Sequence, residues 1–340
     1  VRVAFDTRPL AYRGGVGRYS RCLLAALRKT ASRDAQIIEA RRPRSADVFH
    51  SPWMAGAPLR SQCPLVVTLH ELAASKRRSE HLRPGVRPRL RQLAVQRAAR
   101  VIVPTHALAD DAVECLGLER DAVVVIPEAP DPLMYPRSAP EIAKARARFK
   151  LPERYLLWVG ELEHPDPVKN VAELAATPRT MPLVLVGAAS RWAHELPNVI
   201  LTGHVCDDDL AALYSGAHAL VTPSQEGGFG LSAVEALACG TPVAACEVRA
   251  LREVLDGRVR FVPAGDVCAL IDAAETATRP APPPPAWSWE DAARATWRVY
   301  EDAAAQPVGL RPAIRAVRRR APARGSAIAQ PRFVPRPPAG

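Results

Sequence analysis

The chain has 340 residues, 46 Lys and Arg against 35 Asp and Glu, and a formal net charge of +11, with 48% hydrophobic and 24% charged residues. That balance excludes wholesale disorder, and the length suits two domains of ~150 residues. No apolar run approaches the ~20 residues of a membrane span, and the first residues do not read as a signal peptide, so neither a spanning nor a secreted protein is expected.

Apolar runs at 3–5, 48–49, 65–68, 101–103 and 123–126 predict buried strands. After the first, Tyr19, Cys22, Leu23, Ala26 and Leu27 stand at i, i+3, i+4, i+7 and i+8, one face of a helix. The span from that helix to Phe49 is short, so a peripheral strand there is expected to be abbreviated. Thr105 is placed to cap a helix over about 107–116. Pro130, Pro132, Pro136 and Pro140 interrupt any regular pattern and put the joint between domains at 131–152. Beyond it, strands are predicted at 155–159, 183–186, 199–201, 218–221, 242–245 and 259–262, with helices near 170–176, 207–215, 231–239 and 249–255. Repeated βα units imply an α/β protein with two doubly wound parallel sheets.

The expected division is a first domain over 1–135, a linker over 136–152, a second domain over 153–280, a Pro-rich spacer and helix over 281–305, and a disordered basic tail over 306–340. Charge follows these divisions. Residues 1–100 hold 21 basic and 6 acidic residues, residues 101–306 hold 17 and 29, and the tail holds 8 Arg and no acid. Seven cysteines at 22, 63, 115, 206, 239, 246 and 268 form no CxxC pair and no zinc spacing, so they are expected to be reduced, packed thiols in the cytoplasm.

The densest chemical signal is the stretch from Ser224 through Glu226-Gly227-Gly228-Phe229-Gly230-Leu231 to Glu235 and Pro242. Glycines between a strand and a helix start let a ligand approach free backbone N–H groups, which suit phosphate. Glu226 in that loop can meet hydroxyls, and Glu235, one turn into the helix, can meet a ribose diol.

This stretch resembles the donor-site signature of the retaining GT-B glycosyltransferases of family 4, written E-x7-E around a GFGL core. Other segments agree in the same order. Arg13-Gly14-Gly15-Val16-Gly17-Arg18-Tyr19 resembles the early glycine loop, His50-Ser51-Pro52 an HSP segment, and Val67-Thr68-Leu69-His70-Glu71-Leu72 a TIHDL segment. Val125-Ile126-Pro127, the stretch from Trp158-Val159-Gly160 to Lys169-Asn170, and Leu201-Thr202-Gly203-His204-Val205 also match, over about residues 1–305. There are departures. Eight residues separate Glu226 from Glu235 because an extra glycine precedes Phe229. Glu161 and Val168 stand where relatives often carry Arg.

The resemblance implies a GT-B architecture of two Rossmann-like domains facing a cleft, with the helix after Trp287 crossing back to the first. It implies transfer of a sugar, of mannosyl type, from a nucleotide-sugar donor to a glycan or lipid-linked acceptor, with retention, no metal and no cofactor. By the same resemblance His70, Glu226 and Lys169 form the catalytic set, and Gly15, Gly17, Val205, Phe229, Gly230, Leu231 and Glu235 bind the donor. A catalytically impaired scaffold and a sugar-nucleotide epimerase are the alternatives. The stretch 76–100 has nine basic residues and one acidic, with Leu82, Val86, Leu90, Leu93 and Ala94 at roughly helical spacing. It suits an anionic membrane surface. It carries no aromatic residue for base stacking, which argues against nucleic acid.

Overall fold

In the computed structural model, which describes residues 1–43, 45–72 and 86–306, the chain forms two parallel sheets. The first holds β1 (Arg2–Asp6), β2 (Gln36–Ala40), β3 (Val48–Ser51), β4 (Leu65–Thr68), β5 (Arg100–Val103) and β6 (Val123–Val125), in the order β2-β1-β3-β4-β5-β6. Around it lie α1 (Gly15–Thr30), α2 (Val86–Gln96) and α3 (His106–Leu116). The second holds β7 (Leu156–Val159), β8 (Leu183–Val186), β9 (Val199–Gly203), β10 (Ala219–Thr222), β11 (Val243–Cys246) and β12 (Arg260–Val262), in the order β12-β11-β10-β7-β8-β9. Its helices are α5 (Val171–Ala176), α6 (Arg191–His194), α7 (Asp207–Gly216), α8 (Leu231–Ala238), α9 (Arg249–Leu255) and α10 (Val267–Glu275). Every residue of β3, β4, β8 and β11 is buried, as strands covered on both faces require.

Two local expectations are corrected. The joint region is not irregular throughout, because Ala139–Phe149 forms a helix, α4, packed against α7. Pro140 falls in its first turn, where a missing N–H costs no hydrogen bond. Glu141 reaches back to the Ser138 N–H at 2.8 Å, completing the start. The strand β2 is also complete, pairing with β1 along its whole length from Arg2↔Gln36 to Asp6↔Ala40. It lies at the sheet edge, where Ile37 and Ile38 are half-buried and Ala40 is buried while Gln36 and Glu39 face solvent.

The last helix, α11 (Trp289–Ala304), returns to the first domain, as expected. Ser288 caps it by accepting from the Asp291 N–H at 3.1 Å. Trp289, Ala292, Ala293, Thr296, Trp297, Tyr300 and Ala303 form its buried face. They pack with Tyr19, Leu23 and Leu27 of α1. Burial of each large side chain there contributes about 1.5–3 kcal/mol, so replacing Trp297 with Ala would open a cavity between the two helices. Cys22, Cys63, Cys239 and Cys246 are buried thiols, whereas Cys206 and Cys268 are exposed. The expected tail from residue 307 and residues 76–85 of the basic stretch lie outside the described residues. Among the described residues, no helix is long and apolar enough to cross a membrane.

Candidate active site

In each sheet the chain order reverses once, between β1 and β3 in the first domain and between β7 and β10 in the second. Crevices outside the carboxyl ends of strands at such points are where open α/β sheets take ligands. The second crevice is framed by the loop after β7, carrying Glu161 and Lys169, and the loop after β10, carrying Glu226. The glycine loop follows β1, and His70 follows β4. The candidate residues thus come from loops at the same ends of their sheets.

Several contacts join these loops across the cleft. A Cβ on Gly228 would collide with the His70 carbonyl, so the extra glycine is what lets this loop touch the first domain. Lys169 Nζ lies 3.3 Å from Glu71 Oε2, with both side chains substantially exposed. The Glu161 carboxylate stands against Gly14 closely enough that a Cβ there would collide with it. Gly14 is the N-cap of α1 and offers no side-chain cap, so the uncapped amides attract negative charge. Burial and then the neighbouring Glu163 charge raise the Glu161 pKa, with Lys169 opposing them. Gly17 is required in the same turn, since a Cβ would strike the Tyr12 carbonyl, whereas Gly15 faces open space.

Arg18, one turn into α1, makes a buried interdomain cluster. It reaches Asp131 at 3.1 Å, Asp207 at 2.6 Å and Glu235 at 3.1 Å. Glu235 is 3% exposed. Its Oε1 meets Arg18 Nε without hydrogen-bond alignment and has no hydrogen-bond partner. Its Oε2 accepts from the Tyr214 hydroxyl at 3.4 Å. Burial pushes the Glu235 pKa up to about 7, with Arg18 pulling it down and Asp131 and Asp207 pushing it further up. Three carboxylates around one guanidinium give the cluster an excess of negative charge, which a proton on Glu235 would lessen.

His70, expected to line the cleft near the transferred sugar, has both ring nitrogens in contact with the protein. Its Nδ1 lies 3.1 Å from Glu128 Oε1 and its Nε2 lies 2.9 Å from the Pro52 carbonyl. A carbonyl oxygen only accepts, so Nε2 donates to Pro52, and the Glu128 carboxylate beside Nδ1 favours the charged, imidazolium form of the ring. Burial opposes that charge, but the hydrogen bond and charge of Glu128 outweigh it and raise the pKa. Both contacts tie the start of the loop that carries Glu71 to the rest of the first domain. Behind it, Tyr300 of α11 bonds His50 Nδ1 at 2.6 Å, His50 Nε2 bonds Thr68 at 2.9 Å, and Thr68 bonds Tyr19 at 3.1 Å. The Tyr19 ring packs edge-on to His70 at 4.5 Å. Burial lowers the His50 pKa to about 3, with the His70 charge adding to it.

The remaining candidates are positioned as follows. Glu226 is half-buried in its loop. Phe229 is buried beside Trp287, with ring centroids 5.6 Å apart. Gly230 has φ +82°, the left-handed region that favours glycine, and Leu231 begins α8. Val205 is buried after β9. Sequence reasoning missed Glu128, Asp131, Tyr214 and the role of Arg18, because their partners lie in other segments of the chain and share no motif spacing with them. Elsewhere between the domains, Glu253 of α9 accepts from the His106 and Ala107 N–H groups at 2.8 and 2.9 Å, at the start of α3. The open groove beside it, about 600 Å³, shares no lining residue with the candidate set.

Comparison with known proteins defines the class. The fold matches solved GT-B glycosyltransferases. An Anabaena protein, HepE, solved with UDP and glucose, aligns at a TM-score of 0.62 and 18% identity over 81% of this chain and 89% of that one. Sucrose-phosphate synthase from Thermosynechococcus elongatus aligns at 0.62 and 20% identity over 89% and 96%. At these identities the likeness carries the fold alone. The glycosyltransferase family 4 model matches residues 3–132, and the glycosyl transferases group 1 model matches residues 153–279. The chain thus carries both glycosyltransferase domains, the family 4 domain followed by the group 1 domain. It is 31% identical to the D-inositol 3-phosphate glycosyltransferase of Acidothermus cellulolyticus over 62% of this chain and 54% of that protein. To the protein of the same name from Xylanimonas cellulosilytica it is 30% identical, over 65% and 61%. The chain therefore spans less than two thirds of these relatives' lengths.

Proposed function

We propose that this protein transfers a hexosyl group from a nucleoside diphosphate sugar to a hydroxyl of a glycan, lipid-linked or cyclitol acceptor, with retention of anomeric configuration. The observation that carries this reading is the convergence of the uncapped start of α1 with the loops of Lys169 and Glu226 at the carboxyl ends of both sheets. Charge develops on the departing diphosphate, and preorganised amides and a cation near it lower the barrier. The amides of Gly15 and Gly17 would supply the first, and Lys169, released from Glu71, the second. Glu226 and the backbone of Phe229–Leu231 would hold the sugar. The buried Oε1 of Glu235 is ion-paired with Arg18 but accepts no hydrogen bond, and a ribose hydroxyl would provide one. The Val205 backbone would meet the base. The resemblance in 67–72 and 158–170 leans towards a mannosyl donor, and the names of the relatives towards an inositol phosphate acceptor.

Screening nucleotide release across GDP- and UDP-sugars tests this. Release is expected with one donor class and is expected to fall at least tenfold in Glu226→Ala and Lys169→Ala, each folded by circular dichroism. No release with any donor would refute it. Two observations favour a second reading, a nucleotide-binding protein with weakened transfer. Glu161 lies where a phosphate would approach Gly14, and Lys169 is neutralised by Glu71. Calorimetry that finds GDP or UDP binding without release from any sugar nucleotide would select it. A peripheral membrane contact is part of the proposal as well: Arg89, Leu90 and Arg91 of α2 are exposed together. Liposome flotation that does not depend on anionic lipid would remove it.

A further inference from the structure

The first domain's own crevice, where β1 and β3 part, carries side chains that the proposed transfer does not use. β1 ends in Asp6, and the chain beyond β3 continues through Pro52 to Trp53. The Tyr12 and Trp53 rings meet at 5.0 Å between centroids with 61° between their planes, forming a corner. Tyr12 is 49% exposed, so the corner is open to solvent on the Tyr12 side.

Beneath it, Asp6 is fully buried. Its Oδ2 accepts from Trp53 Nε1 at 3.0 Å and from Arg8 Nη2 at 2.7 Å, and its Oδ1 accepts from Arg8 Nε at 2.8 Å. Arg8 Nη2 also donates to the Gly56 carbonyl at 2.7 Å. Gly56 has no room for a Cβ under the indole and the Asp6 carboxylate. Trp53 is thus held in one orientation, with the Arg8 guanidinium 6.0 Å from its ring centroid. Arg8 Nη1 makes no hydrogen bond among the described residues, although its neighbours on the same guanidinium are fully engaged.

The corner also sits at the cleft. Tyr12 lies two residues before Gly14, which Glu161 of the second domain touches, and Trp53 follows Pro52, whose carbonyl holds His70. It therefore stands on the opposite domain from Lys169 and Glu226. A rigid aromatic corner with a guanidinium over its Trp53 ring, one nitrogen of which makes no hydrogen bond among the described residues, has a specific complement. A sugar or cyclitol ring has a C–H face, which the electron-rich ring faces attract, and a rim of hydroxyls, which a fixed donor can read.

We propose that Tyr12, Trp53 and Arg8 form the acceptor subsite and hold a polyhydroxylated six-membered ring. The inference rests on the transferase reading only for the word acceptor; ring binding is measurable by itself. Saturation-transfer NMR on the full chain, with methyl α-D-mannopyranoside and myo-inositol as separate probes, tests it. The C–H protons of at least one probe are expected to saturate. The dissociation constant is expected to rise about tenfold in Trp53→Ala and in Tyr12→Ala, and to stay within about threefold in Trp53→Phe. The mannoside alone would mark a hexose acceptor, and inositol alone a cyclitol. Should Trp53→Ala not fold, the half-exposed Tyr12 position carries the test. Saturation of neither probe by the wild type, or undiminished binding in Tyr12→Ala, would overturn the inference. Loss of nucleotide release with ring binding intact would instead overturn the transferase reading alone.

Discussion

Replacing Glu235 with Gln is expected to stabilise the protein at pH 8 while leaving it nearly unchanged at pH 5. In the fold this carboxyl titrates near 7, against an ordinary value of 4.5, because it is buried and flanked by Asp131 and Asp207, and Arg18 only partly compensates. A raised carboxyl pKa means that the folded state holds the proton more tightly than the unfolded chain. Its contribution is therefore complete below about pH 4.5 and is lost as pH rises through about 7. At 1.36 kcal/mol per pH unit, ionised Glu235 costs about 3 kcal/mol at pH 8. Gln keeps the shape and still accepts from the Tyr214 hydroxyl, and Arg18 keeps Asp131 and Asp207. The melting temperature at pH 8 should rise by roughly 5–10 °C, with the two proteins converging towards pH 5. Differential scanning calorimetry across pH 5–8 measures this. A Gln variant that melts at or below the wild type at pH 8 would show that the Arg18 pair outweighs burial, and the reasoning would fail. A variant that is more stable yet binds nucleotide more weakly would be trading stability for function.

Three more outcomes follow from the cleft. Glu128→Gln removes the charge that raises the His70 pKa, so the imidazolium, lost as pH rises through that pKa, should be lost at a lower pH, as read from the ring nitrogen shifts by NMR; an unmoved midpoint would deny Glu128 this role. Gly228→Ala forces a Cβ onto the His70 carbonyl and should open the cleft, enlarging the radius of gyration in solution scattering and reducing any transfer about tenfold; an unchanged radius would mean the loop relaxes without parting the domains. Glu161→Arg replaces an anion beside the start of α1 with a cation and should tighten GDP or UDP binding about tenfold by calorimetry; weaker binding would show that Glu161 assists the nucleotide.

Much of the fold was legible because parallel strands buried on both faces read as apolar runs, and βα repetition follows from them. The runs at 65–68 and 183–186 coincide with β4 and β8, and the helix after Trp287 begins at Trp289. What was missed had weaker local signals. Gln36–Ala40 is a half-polar edge strand, and Ala139–Phe149 hides behind a proline that its first turn tolerates. The candidate site was legible as loops, since glycine and acid patterns are local. Its partnerships were not. Glu128 with His70, Arg18 with Glu235 and Lys169 with Glu71 are each set by the meeting of distant segments.

The return of α11 bears on how the chain is made. The core of the first domain includes Trp289, Trp297 and Tyr300, so the ribosome emits most of that domain long before its last wall exists. At 5–20 residues per second, roughly ten to thirty seconds separate the end of the first sheet from Tyr300. During that interval the apolar side of α1 and the Tyr19–Thr68–His50 chain stand open. The second domain, whose core needs nothing from α11, can close first, so the N-terminal half of this protein is the half expected to finish folding last and to need protection while it waits.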